Sequence, residues 1–278
     1  MNLIQLRTFL AVVDAGSITA AAQELGCAQS TASFHLSGLE EALGKQLVQR
    51  SSRSLRLTDA GTRLLPRARS LVALVEETRR EVAGAESLAP VRVEASTIPA
   101  TYLLPPILAR LRRSAPDLHV RVRVSDSQGA IRAVAEGRCD VAVVGSPPTD
   151  RRLTSQVFAQ DRIVLVGLPD AGPPTDLAEV PLVLREPGSG TRAAAERLIP
   201  PGGPRLEMGS TEAVRRCVLA GLGFGLISDR AVRDDLEQGR LRRFPLAGLP
   251  VDRAFHVVRL RGVRPGLGAQ RLWSALGE

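Results

Sequence analysis

The chain has 278 residues, enough for two or three compact units, and 44% of them are hydrophobic, which supports packed cores and excludes wholesale disorder. No long apolar run occurs, which argues against a membrane-spanning helix or a membrane partner, and Met1–Arg7 lacks a secretory pattern, so a cytoplasmic location is expected. The formal charge of +8 suits an anionic partner, but residues 1–58 carry five basic against four acidic side chains, so charge alone does not locate a DNA-binding face.

Leu3, Leu6, Phe9, Leu10 and Val13 recur at helical spacing. Gly16 ends that helix, and Ser17 is placed to cap a second over Ile18–Leu25, whose Ala20-Ala21-Ala22 allows close packing. Gly26 breaks it, and a third helix is expected from Gln29 to Leu43, giving a helix, a short turn and a helix. At 100° per residue, Ala32, Leu36, Leu39 and Leu43 form the stripe that faces the core. Ser30, Ser33, Phe34 and Ser37 lie opposite, with Gln29 at the N-terminal end. Short polar groups with one aromatic suit a DNA major groove, where Gln and Ser bond base edges and Phe touches a thymine methyl. A plain solvated face is the alternative. Residues 45–58 then read as a hairpin carrying Arg50, Arg53 and Arg56, a wing that can reach phosphates or the minor groove, or simply a solubilised hairpin.

The segment FLAVVDAGSITAAAQELGCAQSTASFHLSGLEEALGKQLVQRSSRSLRLTDAG resembles the N-terminal region of LysR-type transcriptional regulators. The matching features are Gly16-Ser17 with Ala20-Ala21, Gln29 and Ser33, Leu39-Glu40, Leu43-Gly44, Arg50, Leu57-Thr58 and Gly61. The resemblance implies a winged helix-turn-helix over residues 1–58 that contacts double-stranded DNA through Gln29, Ser30, Thr31, Ser33, Phe34, His35, Arg50, Arg53 and Arg56. Three departures stand out. Ala28 replaces a usual serine and removes a cap worth ~1 kcal/mol. Gly38 should loosen the third helix by ~1 kcal/mol. Phe34 and His35 stand where long polar residues are commoner, so the operator sequence does not carry over.

From Asp59 to about Ala85 the pattern is helical, with Leu64, Leu65, Ala68, Leu71, Val72 and Val75 on one stripe and Pro66 in the first turns. Such a stripe must be buried, on a second copy or on the chain's own C-terminal part. The resemblance implies the former: residues 59–89 form a linker helix that pairs two subunits, with a homotetramer expected through the C-terminal domains.

From Val91 strands alternate with helices, which implies an α/β domain over residues 90–278 with mostly parallel strands. Leu153–Ala159 and Leu241–Phe255 are the expected crossings if it splits into two lobes. The resemblance implies that split: a two-lobed, periplasmic-binding-protein-like domain with a ligand cleft. Nearly every strand-to-helix junction carries hydroxyls, at Ser96-Thr97, Ser125 with Ser127, Ser189 with Thr191, Ser210-Thr211 and Ser228. Each reads singly as a helix cap, and together as donors at the strand ends where α/β sheets bind ligands. Ser96, Thr97, Ser127, Gln128, Gly145, Ser189, Thr191 and Thr211 are the candidate effector-binding residues.

The loop Arg185–Arg192, REPGSGTR, has the strand, glycine turn and helix of a phosphate cradle but lacks the lysine of a nucleotide P-loop. No GxSxG elbow or paired base accompanies it, so it reads as a ligand grip, with Arg185 and Arg192 expected in salt bridges and ligand contact by them as the lesser alternative. This loop and the TYLLPPIL stretch are similar to regulators of sulfur assimilation and carbon fixation, whose effectors are often small anions or phosphorylated metabolites; Ile98 and Pro99 weaken the case for a sulfate-like ligand. Cys27, Cys139 and Cys217 form no CxxC and read as small buried residues, with paired redox thiols at Cys139 and Cys217 as the alternative. His35, His119 and His256 have no metal-ligand spacing, so neither metal nor cofactor is expected beyond a small-molecule co-inducer. The reading that results is a DNA-binding regulator rather than an enzyme or an exported solute-binding protein, with RNA polymerase among the partners open to it.

Overall fold

The computed structural model describes residues 1–50, 55–82, 90–263 and 265–277. The chain divides into two compact units: residues 1–89 with 135–138 and 262–266, and residues 90–134, 139–261 and 267–278.

The first unit opens with α1 (Leu3–Ala15), where Asn2 and Gln5 form a capping box and Gly16, at φ 68°, turns the chain out of the helix. Ser17 accepts from the Ala20 amide at the start of α2 (Ile18–Glu24). Helix α3 (Gln29–Leu43) begins at Ala28 with no side-chain cap, as its sequence requires, and ends on Gly44 at φ 62°. Strands β1 (Val48–Arg50) and β2 (Leu55–Leu57) pair antiparallel, and α4 (Asp59–Val82) follows. Phe9, Val12, Ala21, Ala32, Leu36, Leu39 and Leu47 are buried together.

Several residues that carry the family resemblance have local structural jobs. The Glu40 carboxylate accepts from the Leu47 amide at 2.7 Å and the Val48 amide at 3.3 Å, fixing the entry to the hairpin. Thr58 caps α4 by accepting from the Gly61 amide at 3.0 Å. A Cβ on Gly61 would lie 2.1 Å from the Leu47 carbonyl oxygen, so only glycine lets α4 start this close to the hairpin. Gly38 is under no such constraint: a Cβ there would meet only the end of the flexible Gln5 side chain, Nε2 at 2.8 Å, which can move aside.

Two expectations about apolar stripes need correction. Leu43 is 39% exposed, because the last turn of α3 extends past the core. The α4 stripe is divided. Leu65 and Ala68 are buried in the unit's own core, with Leu64 and Val72 against it, whereas Leu71, Leu74 and Val82 are exposed. Pro66 sits well inside α4, at its eighth residue, and the helix continues through it. Arg7 pairs with Glu76, and Arg69 with Asp14, joining α1 to α4.

In the second unit, β3 (Val91–Ser96) leads through a π-helical turn (Pro99–Leu103) into α5 (Leu104–Ser114). Then come β4 (Val120–Ser125), α6 (Ser127–Ala135), β5 (Val141–Val144) and β6 (Leu153–Gly167). They are followed by β7 (Leu182–Arg185), α7 (Gly190–Ala195), β8 (Arg205–Met208), α8 (Thr211–Leu219), β9 (Phe224–Ser228) and α9 (Asp229–Glu237). Strands β10 (Arg242–Phe244) and β11 (Val251–Leu260) precede α10 (Leu267–Gly277). The strand order is β4-β3-β5-β11-β6-β9-β7-β8, with β10 on β6.

Strands β3, β4 and β5 run parallel in one lobe, and β7, β8 and β9 in the other. Between them β6 and β11 pair antiparallel from Leu153↔Leu260 to Ile163↔Val251, so both long strands cross from lobe to lobe. The sheet is therefore mixed rather than mostly parallel. The first expected crossing, Leu153–Ala159, extends to Gly167 as one continuous β6, and the second crossing is β11 alone. Nothing in the pattern beyond Phe255 announced the rest of β11 or α10, yet Leu272 and Leu276 of α10 fill the first lobe's core beside Val93 and Val143.

Leu65→Ala is expected to lower the stability of the first unit by about 2–5 kcal/mol, the usual result of emptying a buried leucine site. Urea unfolding followed by helical circular dichroism measures it; a loss below about 0.5 kcal/mol would mean that α4 does not close this core.

Candidate functional site

Helix α3 presents its polar face as the spacing predicts. Gln29, Ser30 and Thr31 are exposed in its first turn, over the buried Ala32. Ser33 and His35 are half-buried, and Phe34 is 74% exposed, its ring 5.8 Å from that of His35. An exposed aromatic between short polar side chains is available to a groove. Arg56 is exposed on β2; the backbone of Arg50 pairs with Leu55 at the end of β1, and Arg53 lies outside the described residues.

In the second unit the strand ends converge between the lobes. Ser96, Thr97, Ile98, Ser127 and Gly145 of the first lobe line a cavity with Arg185, Ser189, Gly190, Thr191, Arg253 and Phe255. Six of the eight candidate effector-binding residues are among them. Thr211 lies just behind, its Oγ1 2.9 Å from that of Thr97. Gln128 is placed differently: it is exposed, and its backbone amide reaches the Gly188 carbonyl at 3.4 Å across the lobes.

Two buried guanidinium groups, neither among those candidates, organise this cavity. Arg185, expected first in a salt bridge, does pair with Glu186, and its Nη1 also donates to Thr97 Oγ1 at 2.6 Å and Thr211 Oγ1 at 2.8 Å. Arg253 of β11 donates from Nε to Asp161 Oδ2 at 2.8 Å and from Nη1 to Thr191 Oγ1 at 3.1 Å. Asp161 is wholly buried and also accepts from Ser228 Oγ at 2.8 Å. Burial pushes the Arg253 pKa below the usual arginine value, and Asp161 opposes that shift. Arg192, by contrast, turns away to Glu196 and Glu207.

The hydroxyls of the cavity are left as donors. Ser127 Oγ accepts from the Gly145 amide at 3.2 Å, Ser189 Oγ from the Thr191 amide at 3.2 Å, and Thr191 Oγ1 from Arg253. Each of these oxygens accepts one hydrogen bond, and each O–H can donate. No carboxylate lines the cavity. The other junction hydroxyls are spoken for: Ser125 bonds Glu94, and Ser210 caps α8.

Cys139 is buried, and that burial, reinforced by Glu94 and Asp140, pushes its thiol up to about 12, so it is protonated and inert at neutral pH. Among the described residues no group of three or more metal-ligating side chains gathers.

Asp161→Asn leaves the Arg253 guanidinium buried without its counter-charge and is expected to cost about 3–5 kcal/mol of stability in the second unit. Asp150→Asn, which breaks a pair near the surface, is expected to cost less than about 1 kcal/mol. Urea melts compare the two, and equal losses would remove the assigned role of the buried pair.

Residues 3–62 match the family described as bacterial regulatory helix-turn-helix protein, lysR family, and residues 85–278 match the LysR substrate binding domain. The HTH-type transcriptional regulator YeiE of Escherichia coli K12 is 34% identical over 254 residues, covering 87% of this chain and 85% of that protein. The HTH-type transcriptional regulator CbbR of Xanthobacter flavus is 31% identical over 277 residues, covering 95% and 83%. The fold is similar to full-length LysG of Corynebacterium glutamicum with bound effector Arg, at a TM-score of 0.78 and 23% identity over 100% of this chain and 97% of that one.

Proposed function

Because the chain belongs to the LysR family of transcriptional regulators, we propose that it reads operator DNA with α3 and the β1–β2 hairpin and senses a small anionic metabolite in the interlobe cavity. The observation that carries the second half is the donor arrangement: three hydroxyls whose oxygens already accept, beside two guanidinium groups, with no lining carboxylate. Such a cavity, with two guanidinium groups and no lining carboxylate among the described residues, stabilises negative charge and disfavours a cation. Ser96, Thr97, Ser127, Ser189 and Thr191 hold the ligand in this reading, and Arg253 orients Thr191. Gly145 and Thr211 shape the site, and Gln128 acts only through its backbone.

For DNA, the reading rests on the exposed first turn of α3. Gln29, Ser30, Thr31, Ser33, Phe34 and His35 face the major groove, while Arg50, Arg53 and Arg56 of the hairpin contact backbone phosphates. Residues 1–58 form the reading head, residues 59–89 the linker, and residues 90–278 the sensor. Leu71, Leu74 and Val82 form the exposed half of the α4 stripe, and a second copy of α4 is the partner suited to cover it. Two subunits joined there present two reading heads, and further pairing through the sensor units yields a tetramer. A ligand that fits one arrangement of these parts better than another shifts DNA binding by that difference in affinity. RNA polymerase is the downstream contact consistent with such a regulator.

Gln29→Ala and Ser33→Ala are expected to reduce discrimination between operator and random duplex by about 1–3 kcal/mol each while leaving the salt dependence of random binding unchanged. Fluorescence anisotropy on both duplexes at one salt concentration measures this; equal losses on the two would deny α3 a role in base reading. Thr191→Val should abolish the effector response of operator binding with DNA affinity retained. If DNA binding is lost as well, Thr191 is a structural residue. Leu74→Glu should shift the chain toward monomer in sedimentation velocity, and an unchanged sedimentation coefficient would place the subunit contact elsewhere.

A further inference from the structure

The two lobes touch directly at the floor of the cavity. A Cβ on Gly190 would stand 2.8 Å from both the Gly145 carbonyl carbon and Ser127 Oγ, across the lobe boundary. Nearby, the Asp126 carboxylate lies about one van der Waals contact, 3.4 Å, from where a Cβ on Gly188 would be. Ile98 of the first lobe is buried among Val164, Val183 and Ile227 of the second. Arg185 completes the closure by bonding Thr97 of the opposite lobe. These contacts hold the cleft shut around very little space, about 200 Å³ including the part open to solvent. Sites for drug-sized ligands span roughly 300–1,000 Å³, and the enclosed portion here has room for about a single water molecule, so even a compact ion needs the lobes to ease slightly apart.

Resting on the reading of this cavity as an anion sensor, we infer that the Gly145–Gly190 contact makes it selective for compact oxyanions: a single central atom with three or four oxygens and no organic chain. The donors surround a small volume, which suits an ion whose oxygens point in every direction. Ser127 and Ser96 reach it from one lobe, and Ser189, Thr191 and the Arg253 guanidinium from the other. A phosphorylated sugar or a dicarboxylate requires the lobes to part much further than a compact ion does. Parting them breaks the bond from Arg185 to Thr97, strips Ile98 from its apolar surroundings and exposes buried polar groups. The size limit therefore comes from backbone against backbone, which cannot move aside as a flexible side chain can.

Gly190 is well chosen to test this. It is the first residue of α7 and has no left-handed backbone requirement, so an alanine is compatible with its helix. The only obstacle is the facing lobe.

The test is isothermal titration calorimetry of the full chain, at constant chloride, with sodium sulfate, phosphate, nitrate and bicarbonate, and with glycerol 3-phosphate and citrate as larger anions. At least one compact ion is expected to bind at least tenfold tighter than either larger anion. Thr191→Val should weaken that binding at least tenfold. Gly190→Ala should do the same without weakening glycerol 3-phosphate, its melting temperature serving as the control for folding. Tighter, Thr191-dependent binding of glycerol 3-phosphate or citrate would overturn the size rule and leave the anion-sensing reading intact. Absence of binding by every compact ion overturns the inference. If the larger anions also fail, or bind independently of Thr191, the anion-sensing reading falls with it. Unchanged compact-ion affinity in Gly190→Ala overturns the role of the glycine contact even if the ions bind.

Discussion

The architecture of the sensor unit depends on burying the Arg253–Asp161 pair where the two long strands pass between lobes. Removing two charges from water is costly, and the attraction between them compensates only when geometry is good and the remaining groups are hydrogen-bonded. Here Asp161 receives Arg253 and Ser228, while Arg253 also reaches Thr191. The pair links β6 to β11 at the point where the sheet changes lobe, and through Thr191 it sets the donor orientation of the cavity. A structural constraint of the crossing thus becomes a property of the binding site. Arg185 repeats the logic from β7, with Glu186 as counter-charge and the Thr97–Thr211 pair as acceptors.

The first unit uses a different economy. Its core is small and aliphatic, and its geometry is set by glycines and caps at the element ends. Gly61 lets α4 approach the hairpin, and Glu40 ties the hairpin to α3. Those ties aim the exposed first turn of α3 and the hairpin from one rigid body. Helix α4 belongs to that body through Leu65 and Ala68, yet keeps Leu71 and Leu74 outside it. The same helix thus closes one folded unit while leaving an apolar face exposed.

Much of this was legible in the sequence. The limits of α3 follow from apolar period and glycine placement, and the hydroxyls at the strand ends announced most of the cavity lining. What was not legible is instructive. The sequence pattern ends the crossing at Ala159, because the polar Gln160 and Asp161 break the apolar run, whereas β6 runs on through them. In the fold Asp161 is buried against a residue 92 positions away, and no local pattern reveals such a partner. Arg253 was missed for the same reason, since it stands alone in an alternating strand and its role comes from Thr191 and Asp161. Leu43 was assigned to the core by angle alone, which takes no account of where a helix outruns its neighbours. Gln128 was chosen for its place beside Ser127, but the turn directs its side chain outward.

The central claim is that the donor-lined cavity between the lobes recognises a compact oxyanion. The most direct measurement is anomalous diffraction at the selenium edge from crystals of the full chain soaked in sodium selenate, a tetrahedral oxyanion whose position diffraction can locate. The account predicts an anomalous peak in the cavity within hydrogen-bonding distance of Ser127, Ser189 and Thr191. Selenate found only on surface arginines, with the cavity holding none, would contradict it.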